Sequence, residues 1–392
     1  MTTKTQWRAV FVLVLAGIIG AFQVGKAAVA VPLLRRDLGL DLFSASLVLS
    51  LYATLAAATG LPAGAVVSRW GARKAVVAGL MLIGAASMAG AFAQNGTILL
   101  AARALESCGF LGLVVAAPTL IRALAAPRDR ELALVCWSIY MPAGSAVMML
   151  AGPSLMTFGW QGLWLVNGVL AAAYAFVVWY AVPRTPFEAS AEAPSAPAGI
   201  VDVLSAPGPR LAAATFGIYT LQYFALTGLL PTLLVERLGL SVAQAGAIAA
   251  ATVVANGLGN LFAGLALRLG IPLWAVVAAG FATLGLCAWG IFAGSLPLPV
   301  VAGLASITLA VTGLVPASIF AASPHLAPSA ALHGTTLGLV MQASNLGQLL
   351  GPAVLGAWVQ RWGWPSAPIL FSAIALGGLV LAMRLRTLLR PT

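Results

Sequence analysis

Long apolar runs broken by short polar punctuation occupy the chain from residue 9 to residue 385. Twelve of them have the roughly 20 residues that a helix needs to cross a ~30 Å hydrocarbon core. They cover 9–34, 42–67, 74–94, 97–122, 132–157, 161–182, 211–235, 242–267, 272–293, 296–322, 333–359 and 366–385. No run shows the two-residue alternation of a barrel strand, and backbone groups in lipid must bond internally, so all twelve are predicted to be helices. The pattern predicts an all-α integral membrane protein.

Composition agrees. Apolar residues make up 61% of the chain and charged residues 7%, against about 45–50% and about 25% in soluble domains. The net charge of +11 is a topology signal and calls for no nucleic-acid partner. With the N-terminus inside, fourteen basic residues fall in cytoplasmic segments and four (Arg35, Arg36, Arg237, Arg361) in outer loops. That asymmetry predicts cytoplasmic termini. Arg outnumbers Lys 17 to 3, a bias that points to a bacterial inner membrane. Ala28-Val29-Ala30 has the look of a signal cleavage site, but the long apolar region around it and eleven further spans favour a retained first helix. Cys108, Cys136 and Cys287 all lie in predicted helices and imply no disulfide framework.

The chain is also duplicated. Leu38-Gly39-Leu40 recurs as Leu238-Gly239-Leu240 and Ala63-Gly64 as Ala263-Gly264, both at an offset of 200. Gly152-Pro153 recurs as Gly351-Pro352 and Pro32 as Pro231 at 199, and Gly159-Trp160 as Gly363-Trp364 at 204. The Pro/Ser/Ala/Glu stretch 183–209 reads as a flexible cytoplasmic linker between six-span halves, 1–182 and 210–392. Six is an even number, so the halves are parallel repeats, an arrangement that predicts a central mid-membrane cavity and alternating access by rocking.

Of 29 charged side chains, only Lys26, Arg103 and Glu106 lie deep inside spans. Intramembrane charges cost several kcal/mol and mark function or pairing. Helix rise puts all three roughly 9–13 Å below the outer end of their spans, and Arg103 and Glu106 share one helix face at i, i+3. The C-terminal half has no buried charge. Its polar inventory is Tyr219, Gln222 and Tyr223 on span 7, Asn256 and Asn260 on span 8, Thr308 and Thr312 on span 10, and Gln342, Asn345 and Gln348 on span 11. Amides such as Asn256 and Asn260 commonly hold helices together.

The stretch Gly64-Ala-Val-Val-Ser68-Arg69-Trp70-Gly71-Ala72-Arg73-Lys74 resembles the loop signature G-x-L-A-D-R-x-G-R-[RK] of the major facilitator superfamily. A weaker copy stands at Gly264-Leu-Ala-Leu-Arg268-Leu-Gly270, and Arg103-Ala-Leu-Glu106 resembles the family's fourth-helix R-x-x-Q. The overall likeness is loosely to its cyanate-permease-like branch. Two departures stand out. Ser68 replaces the signature's Asp, and Gly152-Pro153 is not followed by the glycines of the antiporter motif. The resemblance implies twelve helices in two pseudo-symmetric halves around a central cavity lined by helices 1, 4, 7 and 10. It thereby implies that Lys26, Arg103, Tyr219, Gln222 and Tyr223 contact substrate. It also implies that Gly64, Ser68, Arg69, Gly71, Arg73 and Lys74 form a conformational loop, and that helices 2 and 11 slide on each other through Gly60-x-x-x-Gly64 and Gly347-x-x-x-Gly351.

With Glu106 ionised the three charges sum to +1, so the expected substrate is a small organic anion, with Lys26 its main partner and Glu106 the carrier of a coupling proton. Proton-coupled efflux of hydrophobic or cationic compounds is the alternative transport reading, and a transporter-like sensor the alternative of another class. His325 and His333 flank one loop, no metal-ligand spacing occurs, and no cluster of catalytic groups exists, so neither an enzyme nor a cofactor or metal is expected. The protein is expected to work as a monomer in the bilayer.

Overall fold

The computed structural model describes residues 4–53, 71–183, 197–292, 294, 296–329 and 332–389, and every regular element among them is helical. The first half contains α1 (Trp7–Leu38), α2 (Leu42–Ser50), α3 (Ala72–Ala91), α4 (Gly96–Leu124), α5 (Arg130–Ser138), α6 (Tyr140–Leu155) and α7 (Gly159–Ala181). After α8 (Pro197–Ser205), the second half contains α9 (Pro207–Leu238), α10 (Val242–Arg268), α11 (Leu273–Phe292), α12 (Leu298–Thr312), α13 (Leu314–Leu326), α14 (His333–Trp362) and α15 (Ala367–Leu388). The chain groups into one compact unit of residues 1–40 with 47–194 and another of 41–46 with 195–392.

Nine helical stretches among the described residues are long and apolar enough to cross a membrane. The remaining spans have simple explanations. Span 2 extends past the described residues, spans 5 and 6 join into one run over Pro127–Ala181, and α14 is diluted by Gln342, Asn345 and Gln348.

Spans 5 and 10 each split into two helices, where the sequence predicted one. A proline accounts for both breaks. Pro142 and Pro316 lack the N–H that would bond the carbonyl four residues back, and α5 and α12 end at those residues, Ser138 and Thr312. The segment read as structureless linker contains α8, which starts at Pro197, a favoured first helical residue, and buries Val203. Residues 184–196 of that linker lie outside the described residues.

The duplication reappears in the turns. Among the described residues seven glycines have positive φ, and six of them pair at the repeat offset. Gly39 and Gly239 close α1 and α9 in the left-handed conformation, with φ 62° and 64°. Gly71 and Gly270 have φ 88° and 79°, and Gly159 and Gly363 have φ 75° and 76°. Gly159 and Gly363 also have ψ of 173° and 164°, a region open essentially to glycine alone. Next to each stands a buried tryptophan, Trp160 and Trp364. Asp41 and Ser241 are equivalent as well: each accepts from the amide three residues on, Ser44 at 2.6 Å and Gln244 at 3.2 Å, starting the next helix as an N-cap.

Small residues let the helices approach closely. A Cβ on Gly79 of α3 would come 2.5 Å from Gly109 O of α4, and one on Gly109 would come equally close to Gly79 O. In the second unit, Gly347 and Gly351 of α14 face the backbone of α9 at Gly217 and Leu221. The expected partner of that motif was helix 2. Gly347 and Gly351 pack on α9, while Gly356, further along α14, meets Ser46 and Leu42 of α2, and Gly60 and Gly64 lie outside the described residues.

Candidate functional site

The first unit concentrates its charge at one point. Asn95 caps α4 by accepting from Ile98 N at 3.0 Å. Two turns on, Arg103 and Glu106 emerge on a common face, as i, i+3 residues must. α1 contributes Lys26, α3 Ser87, α7 Trp164, and the end of α2 with its 3₁₀ extension contributes Val48 and Tyr52.

Lys26 Nζ donates to Glu106 Oε1 at 2.8 Å and to Ser87 Oγ at 2.6 Å, and lies 4.5 Å from the Trp164 ring centre. Ser87 Oγ in turn donates to Trp164 O at 2.9 Å. Arg103 pairs with Glu106 Oε2 through a terminal nitrogen, and its Nε donates to Val48 O at 2.8 Å. Its guanidinium lies 4.7 Å from the centre of the Tyr52 ring, whose hydroxyl donates to Gly20 O at 2.7 Å. All three charged side chains are 0% exposed. Glu106 thus gives one oxygen to each cation, and the cluster carries a formal +1.

Within the first unit Lys26 is directed toward α3, α4 and α7, and Arg103 toward Glu106 on its own helix and toward α2. A cation in an apolar unit is held where hydrogen bonds are available, and Glu106, Ser87 and Val48 supply partners, while Arg103 Nη2 is buried with no hydrogen-bond partner among the described residues. The sequence reading missed Ser87, Tyr52 and Trp164, because a lone serine or aromatic in an apolar span has no periodicity to distinguish it.

In the second unit the expected site residues separate. The Tyr219 hydroxyl lies 3.1 and 3.2 Å from the two amide atoms of Asn256, and Asn256 Nδ2 donates to Leu309 O at 2.9 Å. Tyr219 therefore ties α9 to α10 and α12, and its hydroxyl is spent on that tie. Tyr223 stacks on Tyr219 with ring centres 5.9 Å apart and is buried. Gln222 is fully buried, and neither of its amide atoms has a hydrogen-bond partner among the described residues. Thr308 and Thr312 bond carbonyls of their own helix, Leu304 O and Thr308 O, each at 2.8 Å.

Of the loop signature, Gly64, Ser68 and Arg69 lie outside the described residues. Gly71 starts α3, Lys74 is exposed, and Arg73 donates to Trp179 O while its guanidinium sits 4.5 Å from the Trp179 ring centre. Among the described residues no group of three His, Cys, Asp or Glu side chains could hold a metal. His333 Nε2 is instead 2.8 Å from Ser323 Oγ.

Comparison with known proteins agrees with this architecture. A bacterial homologue of the human lysosomal transporter Spinster, solved inward-facing and unoccupied, superposes with a TM-score of 0.81 at 15% identity, over 100% of both chains. The methyl viologen resistance protein SmvA of Salmonella typhimurium is 30% identical over 181 residues, 46% of this chain and 37% of that protein. The 4-hydroxybenzoate transporter PcaK of Pseudomonas aeruginosa is 27% identical over 181 residues, 46% of this chain and 40% of PcaK. The methylenomycin A resistance protein of Bacillus subtilis is 26% identical over 194 residues, 48% of this chain and 41% of that protein. The matched segment spans about two fifths of each of these three relatives. The Major Facilitator Superfamily model matches residues 13–332 and again 212–392. The family match and the apolar helices make the protein a multi-pass membrane transporter. The chain, duplicated in its turns and with only helices among the regular elements of its described residues, belongs to the major facilitator superfamily.

Proposed function

We propose that the protein couples proton movement to transport of a small organic anion across a bacterial inner membrane, with cytoplasmic termini and as a monomer. Residues 1–182 and 210–392 act as the two rocking halves. One observation carries the reading: two fully buried cations, Lys26 and Arg103, share a single carboxylate. A proton arriving on Glu106 raises the formal charge of this cluster from +1 to +2 and strengthens its attraction for an anion. By linkage, a bound anion strengthens the hold on the proton by the same factor. Proton and anion therefore travel together, as in symport. Lys26 and Arg103 act here by their field from within the first half, and Gln222 and Tyr223 remain candidates for direct contact.

A second reading has its own support. Both cations already pair with Glu106, and relatives named for methyl viologen and methylenomycin A resistance match nearly half of the chain. On that reading the protein exports hydrophobic or cationic compounds, and Glu106 still exchanges the proton. Proteoliposomes with the interior alkaline distinguish the two. The symport reading expects wild type to accumulate 4-hydroxybenzoate or other small carboxylates. It expects Glu106→Gln to lose that accumulation while still exchanging labelled for unlabelled substrate, which also shows that the variant is folded. Gradient-driven accumulation by Glu106→Gln at the wild-type level refutes the coupling role. Proton-driven movement of methyl viologen with no carboxylate flux replaces the anion reading by efflux.

A further inference from the structure

Two indole N–H groups of the first unit stand out among the buried polar atoms. Trp160 and Trp164, one turn apart on α7, are each 0% exposed, and neither Nε1 has a hydrogen-bond partner among the described residues. Their rings meet edge to face, with centres 5.7 Å apart and planes at 87°. Such a pair can turn at most one N–H onto the other ring, and that contact is weak. Several other unpartnered atoms have simpler accounts. The hydroxyls of Ser50 and Thr232 can turn toward a carbonyl of their own helix, and the amide nitrogen of Asn167 is already bonded to Leu163 O at 2.8 Å. An indole has one donor, fixed in the ring plane, and no rotor to redirect it. Leaving it buried and unmet forfeits its hydration with nothing in return.

The repeat supplies a comparison. Trp364, the counterpart of Trp160, donates its N–H to Glu236 Oε2 at 3.0 Å. At the 200-residue offset Glu236 corresponds to Arg36, whose side chain has no acceptor to offer. Trp164 corresponds to Pro368 at the offset of Trp160 and Trp364, so the second indole belongs to the half that carries the charge cluster. Its surroundings lead to that cluster. A Cβ placed on Gly90 of α3 would lie 3.4 Å from Trp164 Nε1 and 3.2 Å from Ala102 Cβ of α4, so the indole edge faces a residue with no side chain. Gly90 stands in the last turn of α3, whose carbonyls lie beyond the reach of helical N–H donors. Ser87, one turn away on the same face of α3, accepts from Lys26 and donates to Trp164 O. Lys26 lies over the Trp164 ring and donates to Glu106. Because α3 ends at Ala91 and α7 starts at Gly159, Ser87 and Trp164 lie only about 6–8 Å in from those helix ends.

We infer that Trp160 and Trp164 hold a short file of waters beside Gly90, and that this file brings the coupling proton to Glu106 from the outer face of the membrane. A donor with a carbonyl-rich helix end beside it is a polar site of the kind that orders internal water. A water that accepts from an indole keeps both of its own hydrogens for the next acceptor, and Ser87 Oγ, which accepts from Lys26, has a second lone pair to receive one. The transfer balances. Lys26 Nζ passes one N–H proton to Glu106 Oε1, and the nearest water restores it. That water takes a proton from the next, and the outermost takes one from a hydronium outside. The hydronium becomes water, the carboxylate becomes a carboxylic acid, and every group between ends as it began. The inference rests on the transport reading above, in which Glu106 takes up the coupling proton. It adds the side from which the proton arrives and two residues that position its carriers.

Two measurements on the purified full-length protein test this without knowledge of the substrate. In deuterated buffer, the indole N–H resonances of Trp160 and Trp164, assigned through Trp160→Phe and Trp164→Phe, are followed by nuclear magnetic resonance. Both are expected to exchange at least about tenfold faster than that of Trp364, whose donor is held by Glu236. Exchange of either one as slow as that of Trp364 overturns the water site. In the second measurement the pH is dropped and the infrared carbonyl band of protonated Glu106, identified by its loss in Glu106→Gln, is followed in time. Trp164→Phe keeps a ring face for Lys26, so its titration midpoint is expected to stay within about half a pH unit of wild type. The band is expected to grow about tenfold more slowly, the effect of a barrier raised by about 1.4 kcal/mol. Gly90→Ala, which narrows the passage and removes no polar group, is expected to slow it as well. A packing role would alter stability and leave this rate alone. An unchanged rate in Trp164→Phe, or a shifted midpoint without a slower rate, overturns the route. If Glu106→Gln loses no band, the proton-coupling reading fails, while indole exchange still decides the water site.

Discussion

The charge imbalance around Glu106 predicts an inversion of the usual ranking of buried-pair mutants. In Lys26→Met the remaining charges are Arg103 and Glu106, which are already paired and sum to zero. The variant loses one hydrogen bond to a carboxylate, one to Ser87 Oγ and one ring contact, while Ser87 keeps its bond to Trp164 O. Its expected cost is about 1–2 kcal/mol. Glu106→Gln leaves Lys26 and Arg103, both fully buried, without any anion. Stranding charge in this way costs roughly 3–5 kcal/mol. The gap between the two variants should therefore be about 1–4 kcal/mol, with the lysine variant the more stable. Lys26→Met combined with Glu106→Gln removes one of the stranded cations, so the double variant should be no less stable than Glu106→Gln alone. Independent effects would instead add to about 4–7 kcal/mol. Unfolding in mixed micelles, followed through the tryptophan emission to which Trp164 contributes, measures all three. Equal costs for the two single variants, or an additive double variant, would refute the idea that Glu106 neutralises two cations at once.

Two further outcomes follow from the packing. Alanine at Gly39 and at Gly239 meets no atom within 4 Å, so only the left-handed backbone is strained. Each substitution should cost about 1 kcal/mol, and the two melting shifts should match; a shift at one position alone would contradict their equivalence. Asn256→Leu severs the tie between Tyr219 and Leu309 O and should cost about 1–2 kcal/mol. Adding Tyr219→Phe should then cost little more and leave the uptake KM within twofold, whereas a large KM change would return Tyr219 to the substrate.

Much of the fold was legible because each helix announces itself twice, by an apolar run and by its terminal chemistry. Span 4, read as 97–122, runs from Gly96 to Leu124, whereas spans 1 and 7, read as 9–34 and 211–235, run on to Leu38 and Leu238 before Gly39 and Gly239. The breaks in spans 5 and 10 were signalled too, by Pro142 and Pro316, but hydropathy averaged over twenty residues hides a single missing donor. The charge cluster was legible as three residues in one layer, since depth follows from helix rise. Their direction was not. Which side of α1 faces α3, α4 and α7 depends on packing against an apolar surround, and in membrane helices both faces are apolar.

The paired glycine turns carry one more consequence. They fix the path of each half without reference to what lies inside it, so a gene duplicated once could let its two copies drift in chemistry and keep a common shape. Lys26 in one copy and Ala225 in the other are the outcome of that freedom. A new substrate preference in such a protein needs no new architecture, only different side chains along α1 and α9 between turns that stay as they are.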